Sequence, residues 1–299
     1  MKIYSVEELK LNSGLKQLIE KYQIRDSILE REKFILSRFL NEYVYCQKNE
    51  NLEKCKQIIK GVQQKLIYKN NSFYISSKNC NHWIYENQDF KLFKNILFAD
   101  YDEISSIKTI DEYIKSVDQN ELDKSVIVFL KQFNKSFFSN SKKGFYLYGE
   151  PGIGKTYLMK MLANTYAKND KKVIFVTVNK LIKIMKNNFN ISEPMQYSKF
   201  FDTCSNVEVL ILDDIGAELV SDWSRDELLF GLLNYRLENN LLTHFTSNFS
   251  IEQLQKFYLN KKIREKDQIK FDQLKTLRFT ERIKGLTNSI EIQGKNKRY

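Results

Sequence analysis

The chain has 299 residues, of which 28% are charged and 13% aromatic, with only two prolines, and this composition excludes a disordered chain. Its formal net charge is +11, which permits contact with a nucleic-acid backbone, although a solvated lysine face is the commoner meaning. No apolar run approaches the ~18 residues that cross a bilayer, and residues 1–14 lack the apolar core of a signal peptide, so we expect a cytoplasmic protein without membrane contact.

Residues 1–98 are predicted to form a small, mainly helical amino-terminal domain. Within 5–22 and 28–45, apolar residues recur at helical spacing and charged residues lie between them. Such apolar stripes usually form the core of a domain. They can also present a face to a partner protein.

The same segment contains three of the four cysteines and one of the two histidines: Cys46, Cys55, Cys80 and His82. A structural zinc ion takes four thiolate or imidazole ligands, and the C-x-H arrangement at 80–82 can supply two of them. The spacing between Cys46 and Cys55 is not that of a standard zinc knuckle. Two hypotheses therefore stay open: a zinc site, or buried cysteines that act as small apolar side chains with His82 hydrogen-bonded beside Trp83.

Residues 99–122 are acidic and only weakly periodic, and we predict a linker there. The remaining segment, 123–299, begins with a helix and continues as strands alternating with helices. The candidate strands are 144–149, 172–178, 207–213, 242–247 and 289–293. This order is typical of a layered α/β fold with a five-stranded, mostly parallel sheet.

The sequence GEPGIGKT at 149–156 lies between the first of these strands and a helical segment. It matches G-x-x-x-x-G-K-[ST], a loop whose backbone N–H groups surround nucleotide phosphates, whereas an ordinary glycine turn is the structural alternative. Lys155 is expected to reach the β- and γ-phosphates of ATP, and Thr156 to coordinate Mg²⁺. The predicted ATP-binding residues are Gly149, Glu150, Pro151, Gly152, Ile153, Gly154, Lys155, Thr156 and Tyr157.

The apolar strand VEVLILDD ends in two carboxylates at the carboxyl edge of the predicted sheet. Asp213 is predicted to join Thr156 around magnesium, and Asp214 to orient or deprotonate the attacking water. The next strand ends in TSN, where Asn248 is predicted to position the water against the γ-phosphate. The structural alternatives are a polar turn for the aspartates and a helix cap for the asparagine.

GEPGIGKTYL, LILDDIGAE, TSN and the closing RFTERIKGLTNSIEIQGKNKR together resemble the AAA+ ATPases of the DnaC/DnaI type, the bacterial replicative helicase loaders. The resemblance implies an AAA+ fold in which Arg278 corresponds to the arginine finger that completes a neighbouring subunit's ATP site. It also implies that Arg298 is the sensor arginine and Asn248 the polar sensor. Many AAA+ proteins have glutamate where Asp214 stands, so Glu218 is a second candidate for water activation. Few residues follow Arg298, and we expect no full carboxyl-terminal helical lid.

The same resemblance implies a loader that binds the hexameric replicative helicase through residues 1–98 and delivers it to single-stranded DNA, with self-assembly on ATP binding. In one branch of these loaders the first domain carries zinc. Three lysines on one predicted helical face, Lys180, Lys183 and Lys186, are candidate DNA contacts, and a solvated face is the alternative.

Two other functions stay open. The first is a transposition-helper ATPase of the related IstB type, in which the cysteine-bearing first domain is not expected. The second is a binding module in which ATP acts only as a conformational switch with negligible turnover. The aspartate at position 214 permits this last reading because it is one methylene shorter than the usual glutamate.

Overall fold

The computed structural model describes residues 1–46, 50–102, 104–118, 122–187, 194–259 and 266–297. The chain divides into two compact units, Met1–Phe90 and Lys91–Tyr299. This division precedes the predicted domain boundary at residue 98, because the segment 96–99 forms a strand of the large sheet in the second unit.

Short helices and one antiparallel hairpin make up the first unit. Its elements are α1 (Val6–Leu11), α2 (Ser13–Tyr22), α3 (Asp26–Arg31), α4 (Lys33–Glu42), β1 (Val62–Lys69), β2 (Ser72–Asn79) and α5 (Asn81–Glu86). The tight turn of the hairpin places Asn70 and Asn71 at positive φ, which asparagine tolerates well. Leu66 and Phe73 on the inner face of the hairpin join an apolar core formed with the helices.

The second unit is a layered α/β structure. Its elements are α6 (Phe90–Asn95), β3 (Ile96–Ala99), α7 (Ile110–Ser116), α8 (Lys124–Phe138), β4 (Gly144–Tyr148), α9 (Lys155–Lys168), β5 (Val173–Thr177), α10 (Val178–Asn187), α11 (Pro194–Asn206), β6 (Val209–Asp213), α12 (Phe230–Glu238), β7 (Leu242–Ser247), α13 (Ile251–Tyr258), α14 (Lys266–Leu286) and β8 (Thr287–Glu291). α6 begins at the last residue of the first unit.

The strand order in the described sheet is β3-β5-β6-β7-β4-β8, and each neighbouring pair is parallel. The predicted α/β class is confirmed, but the predicted five strands are corrected to six within the described residues. The additional strand, β3, has only four residues and lies at the edge of the sheet, so its short sequence carries little of the strand pattern.

Alternate residues of the central strands enter two apolar cores, one on each face of the sheet. On β4, Phe145 and Leu147 pack on one side with α8 and α9, whereas Tyr146 packs on the other side with α10, α12 and α14. The whole of β6 is buried. Because β6 is a central strand that ends at Asp213, Asp213 and the residue after it lie at the carboxyl edge of the sheet.

The segment predicted as a linker, 99–122, contains α7 and contacts α9. The side-chain amide of Asn164 donates to the carbonyl oxygens of Ile104 and Ile107 at 2.8 and 2.7 Å. The N–H of Ile110 donates to Thr165 Oγ1 at 2.9 Å. These bonds hold part of the segment against the helix that follows the glycine-rich loop.

None of the helices described in the chain combines the length and apolar character needed to cross a membrane.

Candidate nucleotide-binding site

The glycine-rich loop connects β4 to α9 at the carboxyl edge of the sheet. Gly149 and Gly152 have φ values of 142° and 85°, in the region that favours glycine. A Cβ atom on Gly149 would lie 2.2 Å from the carbonyl oxygen of Ile292, and one on Gly152 would lie 2.2 Å from Asn296 Oδ1. Both positions therefore require glycine, and the loop leads into the positive end of α9, where a phosphate is favoured.

Lys155 begins α9 and is only 7% exposed. Its ammonium group donates to the carbonyl oxygens of Gly149 and Glu150, both at 2.8 Å, and to Asn248 Oδ1 at 2.9 Å. The structure thus brings the predicted lysine and the predicted asparagine together beside the loop, although they lie on different elements.

Asp213 is the last residue of β6 and is buried. The Thr156 hydroxyl donates to its two carboxylate oxygens at 3.1 and 3.3 Å, and the Thr246 hydroxyl donates to Oδ1 at 2.6 Å. Burial raises the pKa of Asp213, although both hydroxyl groups act in the opposite direction. A carboxylate beside a threonine hydroxyl supplies the oxygen ligands that Mg²⁺ prefers.

Asp214 follows with φ of 58°, a left-handed conformation that aspartate adopts more readily than most residues. Its backbone N–H donates to Thr246 Oγ1 at 2.8 Å, and the Asn248 side-chain amide donates to its Oδ1 at 3.4 Å. The carboxylate of Asp214 is half-buried and next to the residue that contacts Lys155. The role of Asp214 in orienting or deprotonating water stays a prediction.

Glu218, the second candidate for water activation, is only 3% exposed. Its Oε2 accepts from the N–H of Gly216 at 2.7 Å, and its Oε1 accepts from the hydroxyl of Tyr258. Burial raises the pKa of this carboxyl group to about 7. Because both oxygens of Glu218 are already bonded inside the protein, Asp214 is the better placed of the two carboxylates to contact water.

The raised pKa of Glu218 makes the free energy of unfolding depend on pH. The pKa rises from 4.5 to about 7 in the folded protein, so the stabilising contribution is fully present below pH 4.5 and is lost as the pH rises through 7. In urea unfolding at pH 5 and pH 8, a Glu218→Gln variant should lose less stability than the parent between these pH values, by on the order of 2 kcal/mol. The exposed Glu227→Gln is the matched control, and equal pH dependence in parent and E218Q proteins would contradict the assignment.

Arg278 and Arg282 lie on the same side of α14, above the same ring. Their guanidinium carbons are 5.2 and 5.4 Å from the ring centroid of Phe230. Arg282 also donates to Asn234 Oδ1 at 2.7 Å, whereas the side chain of Arg278 is exposed. Arg278 is therefore the more accessible of the two arginines.

The predicted sensor arginine, Arg298, lies outside the described residues. The preceding residues nevertheless approach the loop. The N–H of Ile292 donates to the carbonyl oxygen of Tyr148 at 2.7 Å, and the N–H of Lys297 donates to the carbonyl oxygen of Gly152 at 2.9 Å. The segment 292–297 thus forms one side of the candidate site.

Sequence reasoning missed two contributors to this site, Thr246 and Tyr258. Thr246 bonds to both aspartates, and Tyr258 bonds to Glu218. Thr246 lies on β7, two residues before Asn248, which directly follows the end of that strand, so the TSN sequence was an available signal. Tyr258 ends α13 and has no local motif.

The three lysines predicted as candidate DNA contacts lie on α10 and are exposed: Lys180, Lys183 and Lys186. Exposure is expected both for a DNA contact and for a solvated face.

A second group of predicted residues comes together in the first unit. Cys46 Sγ lies 2.9 Å from His82 Nδ1, and Cys55 Sγ lies 3.6 Å from Cys80 Sγ. The candidate ligand atoms of Cys46, Cys80 and His82 are all within 4.8 Å of one another, and all three residues are buried. The hairpin produces this grouping, because β2 returns the chain so that the N–H of Cys80 donates to the carbonyl oxygen of Gly61 at 2.9 Å.

Backbone N–H groups point at the cysteine sulfurs. Burial raises the pKa of the Cys55 thiol, but the N–H groups of Gly61 and Gln57 outweigh it, so the pKa lies below its ordinary value. At Cys80 burial dominates and raises the thiol pKa. Two thiolate ligands of tetrahedral zinc, with Zn–S of about 2.3 Å, are about 3.7 Å apart, so the Cys55 to Cys80 distance fits a shared ion.

Comparison with known proteins places these features in a family. Residues 98–274 match the family described as IstB-like ATP binding protein. The replicative helicase loader DnaI of Bacillus subtilis (strain 168) is 28% identical over 257 residues, which cover 85% of this chain and 78% of DnaI. The replicative helicase loader DnaC of Buchnera aphidicola subsp. Baizongia pistaciae (strain Bp) is 30% identical over 107 residues, 36% of this chain and 43% of that protein.

A solved structure of DnaI shares the fold. Its TM-score is 0.54 at 32% identity, and the match covers 69% of this chain and 98% of that one. These matches confirm the resemblance to the DnaC/DnaI type of AAA+ protein. The segment matched by the family, 98–274, contains the glycine-rich loop, both aspartates and Asn248, and it is more than half of the chain. The chain therefore belongs to the family of IstB-like ATP-binding proteins, with an AAA+ P-loop fold.

Proposed function

We propose that this protein is an ATP-dependent loader that binds the hexameric replicative DNA helicase and delivers it to single-stranded DNA during initiation or restart of replication. The observation that carries the proposal is the extent of the similarity to the loader DnaI. The match to DnaI spans 257 residues, and the part of the chain after residue 98 is shorter than this. The similarity therefore extends into the first unit. In this proposal the amino-terminal part, predicted as 1–98, binds the helicase.

The proposed chemistry is ATP hydrolysis at the site beside the glycine-rich loop. The loop N–H groups and Lys155 hold the phosphates, while Thr156 and Asp213 hold magnesium, which neutralises phosphate charge when bound. Asp214 accepts a hydrogen bond or a proton from the attacking water. Asn248 keeps Asp214 and Lys155 in place, because it contacts both of them at 3.4 and 2.9 Å.

Two alternatives have a specific basis. The name of the matching family favours a transposition-helper ATPase, but the similarity to DnaI in residues before 98 favours the loader. The aspartate at 214 favours a module in which ATP acts as a switch without turnover. We expect slow hydrolysis that single-stranded DNA and self-assembly stimulate.

The test is capture of the replicative helicase from the same cell by the full chain, with and without ATP, followed by size analysis and a measurement of helicase transfer to single-stranded DNA. A stable complex and ATP-dependent transfer are expected. If the helicase is not captured while ATP is hydrolysed, the loader proposal fails, and capture of a transposase in the same assay would favour the helper.

We propose in addition that the cysteine and histidine cluster of the first unit holds zinc through Cys46, Cys55, Cys80 and His82. The support is the grouping of Cys46, Cys80 and His82, whose donor atoms lie within 4.8 Å of one another, and the 3.6 Å distance from Cys55 Sγ to Cys80 Sγ. Backbone N–H groups directed at the sulfurs of Cys55 and Cys80 add to it. Bound zinc would fix the end of the hairpin against the segment that carries Cys46, since the four ligands come from three segments, around Cys46, around Cys55 and at 80–82.

Elemental analysis of the purified protein is expected to show one zinc per chain. Cys80→Ser should lose the metal and lower the melting temperature of the first unit. The fourth cysteine, Cys204, is buried in the second unit, so Cys204→Ser is a matched control that should retain the metal. Protein purified without chelators that contains no zinc would overturn the proposal.

A further inference from the structure

The outer face of the β1–β2 hairpin combines exposed apolar and basic side chains. Ile67 and Tyr74 are paired across the strands and are 37% and 52% exposed. Lys65, Lys69 and Lys78 also lie on this face and are exposed. The opposite face, with Leu66 and Phe73, packs against the core of the unit. The outer face is exposed at Lys65, Ile67 and Lys69, and it is covered at Gln63, which is 3% exposed and donates to the Tyr43 hydroxyl.

The hairpin and the segments next to it in the sequence carry charge of one sign. Between Glu53 and Glu86 the chain contains no Asp or Glu but has six lysines: Lys54, Lys56, Lys60, Lys65, Lys69 and Lys78. Within the part of the chain that the structure describes, Lys65, Lys69 and Lys78 form no ion pair. Their charges are therefore available to an anionic partner.

The composition of the face distinguishes between two kinds of anionic partner. Lysine and serine are depleted in the centres of protein–protein interfaces, yet Lys65, Lys69, Ser72 and Ser76 surround the Ile67 and Tyr74 pair. Sites that bind single-stranded nucleic acid combine cations along a backbone track with an aromatic ring on which a base stacks. Lys65 and Lys69 are about 13 Å apart along β1, on either side of Ile67.

We propose that this hairpin face, Lys65, Ile67, Lys69, Tyr74 and Lys78, binds single-stranded DNA. Tyr74 stacks on a base, and the lysines contact the phosphates that flank it. The contact deepens the proposed function by giving the first unit a DNA contact of its own. It is independent of the nucleotide site, because no residue of the hairpin face belongs to the glycine-rich loop.

The test measures binding of the full chain to a fluorescent oligothymidylate by anisotropy, over a range of salt concentrations and without nucleotide. Tyr74→Ala is expected to weaken binding roughly tenfold. Lys65→Gln combined with Lys69→Gln should weaken it further and should lower the slope of log affinity against log salt by about 1.4, since each phosphate contact to a single strand contributes about 0.7. The matched control is Lys16→Gln with Lys21→Gln on α2, which removes the same charge from the same unit and should leave the slope nearly unchanged.

Circular dichroism is used to confirm that each variant is folded. Three results would then overturn the proposal. The first is unchanged DNA binding by Y74A and by the double lysine variant. The second is loss of helicase capture by Y74A with DNA binding intact, which would make the face a protein-docking surface. The third is binding of an oligouridylate of equal length more than tenfold tighter than the DNA. Failure of helicase capture in the parent protein, with oligothymidylate binding retained, would count against the loader and not against this face.

Discussion

An Arg278→Ala variant should bind ATP as tightly as the parent protein and lose nearly all of its ATP turnover. The side chain of Arg278 is exposed on α14 and rests over Phe230, so it is free to reach a neighbouring copy. An arginine supplied from outside the site stabilises charge on the transferring phosphoryl group, and its loss costs roughly a thousandfold or more in turnover. Turnover and nucleotide affinity are measured separately, at protein concentrations that permit assembly.

The matched control is Arg282→Ala, on the same helix and over the same ring. Arg282 is bonded to Asn234, so its loss should lower stability slightly and spare turnover. A mixing experiment tests the supply of the arginine from a second copy. R278A subunits mixed with Lys155→Ala subunits should recover part of the turnover, because each contributes what the other lacks. Full activity of R278A alone would contradict the role.

A Lys155→Ala variant should lose ATP binding by about a hundredfold or more, since a charge-assisted contact to phosphate is removed from a buried position. In the parent protein the ammonium group already lies beside the loop, held at 2.8 to 2.9 Å by two carbonyl oxygens and Asn248. Little ordering of this side chain is then required when the nucleotide binds. Titration with a fluorescent ATP analogue gives the dissociation constant.

The control for K155A is Lys168→Ala, which removes the same charge from the other end of α9. Lys168 pairs with Glu112 at 2.9 Å, away from the loop. The Lys168→Ala variant should bind the ATP analogue as tightly as the parent protein does. Both substitutions lie on α9, so a general effect of losing a lysine from this helix would appear in both variants. Unchanged affinity of K155A for the ATP analogue would show that Lys155 does not contact the phosphates.

Local patterns were sufficient for the central strands but not for the edge of the sheet. Strands β4 to β7 lie within the predicted ranges because they are apolar runs bounded by turns or helices, and β8 is displaced from 289–293 to Thr287–Glu291. By contrast, β3 owes its strand conformation to pairing with β5, which no window of the sequence contains. The hairpin β1–β2 was missed within a segment predicted as mainly helical.

The candidate site shows the same limit. The sequence patterns correctly predicted that Lys155, Thr156 and Asp213 lie at the carboxyl edge of the sheet. The loop that follows one parallel strand and the end of another parallel strand meet at this edge. The contact of Glu218 with Tyr258 spans 40 residues and joins a loop to the end of a helix. That contact, and with it the preference for Asp214 as the group near water, depends on packing that local spacing does not encode.

The position of β4 in the sheet has a consequence for synthesis of the protein. Both of its neighbours, β7 and β8, come later in the chain, and residues 292–297, which adjoin the glycine-rich loop, follow β8. On the ribosome, the loop therefore emerges with both edges of its strand unpaired and must wait for nearly the whole domain. ATP can therefore stabilise the finished fold, but it cannot guide the folding of a partial chain that lacks β7, β8 and residues 292–297.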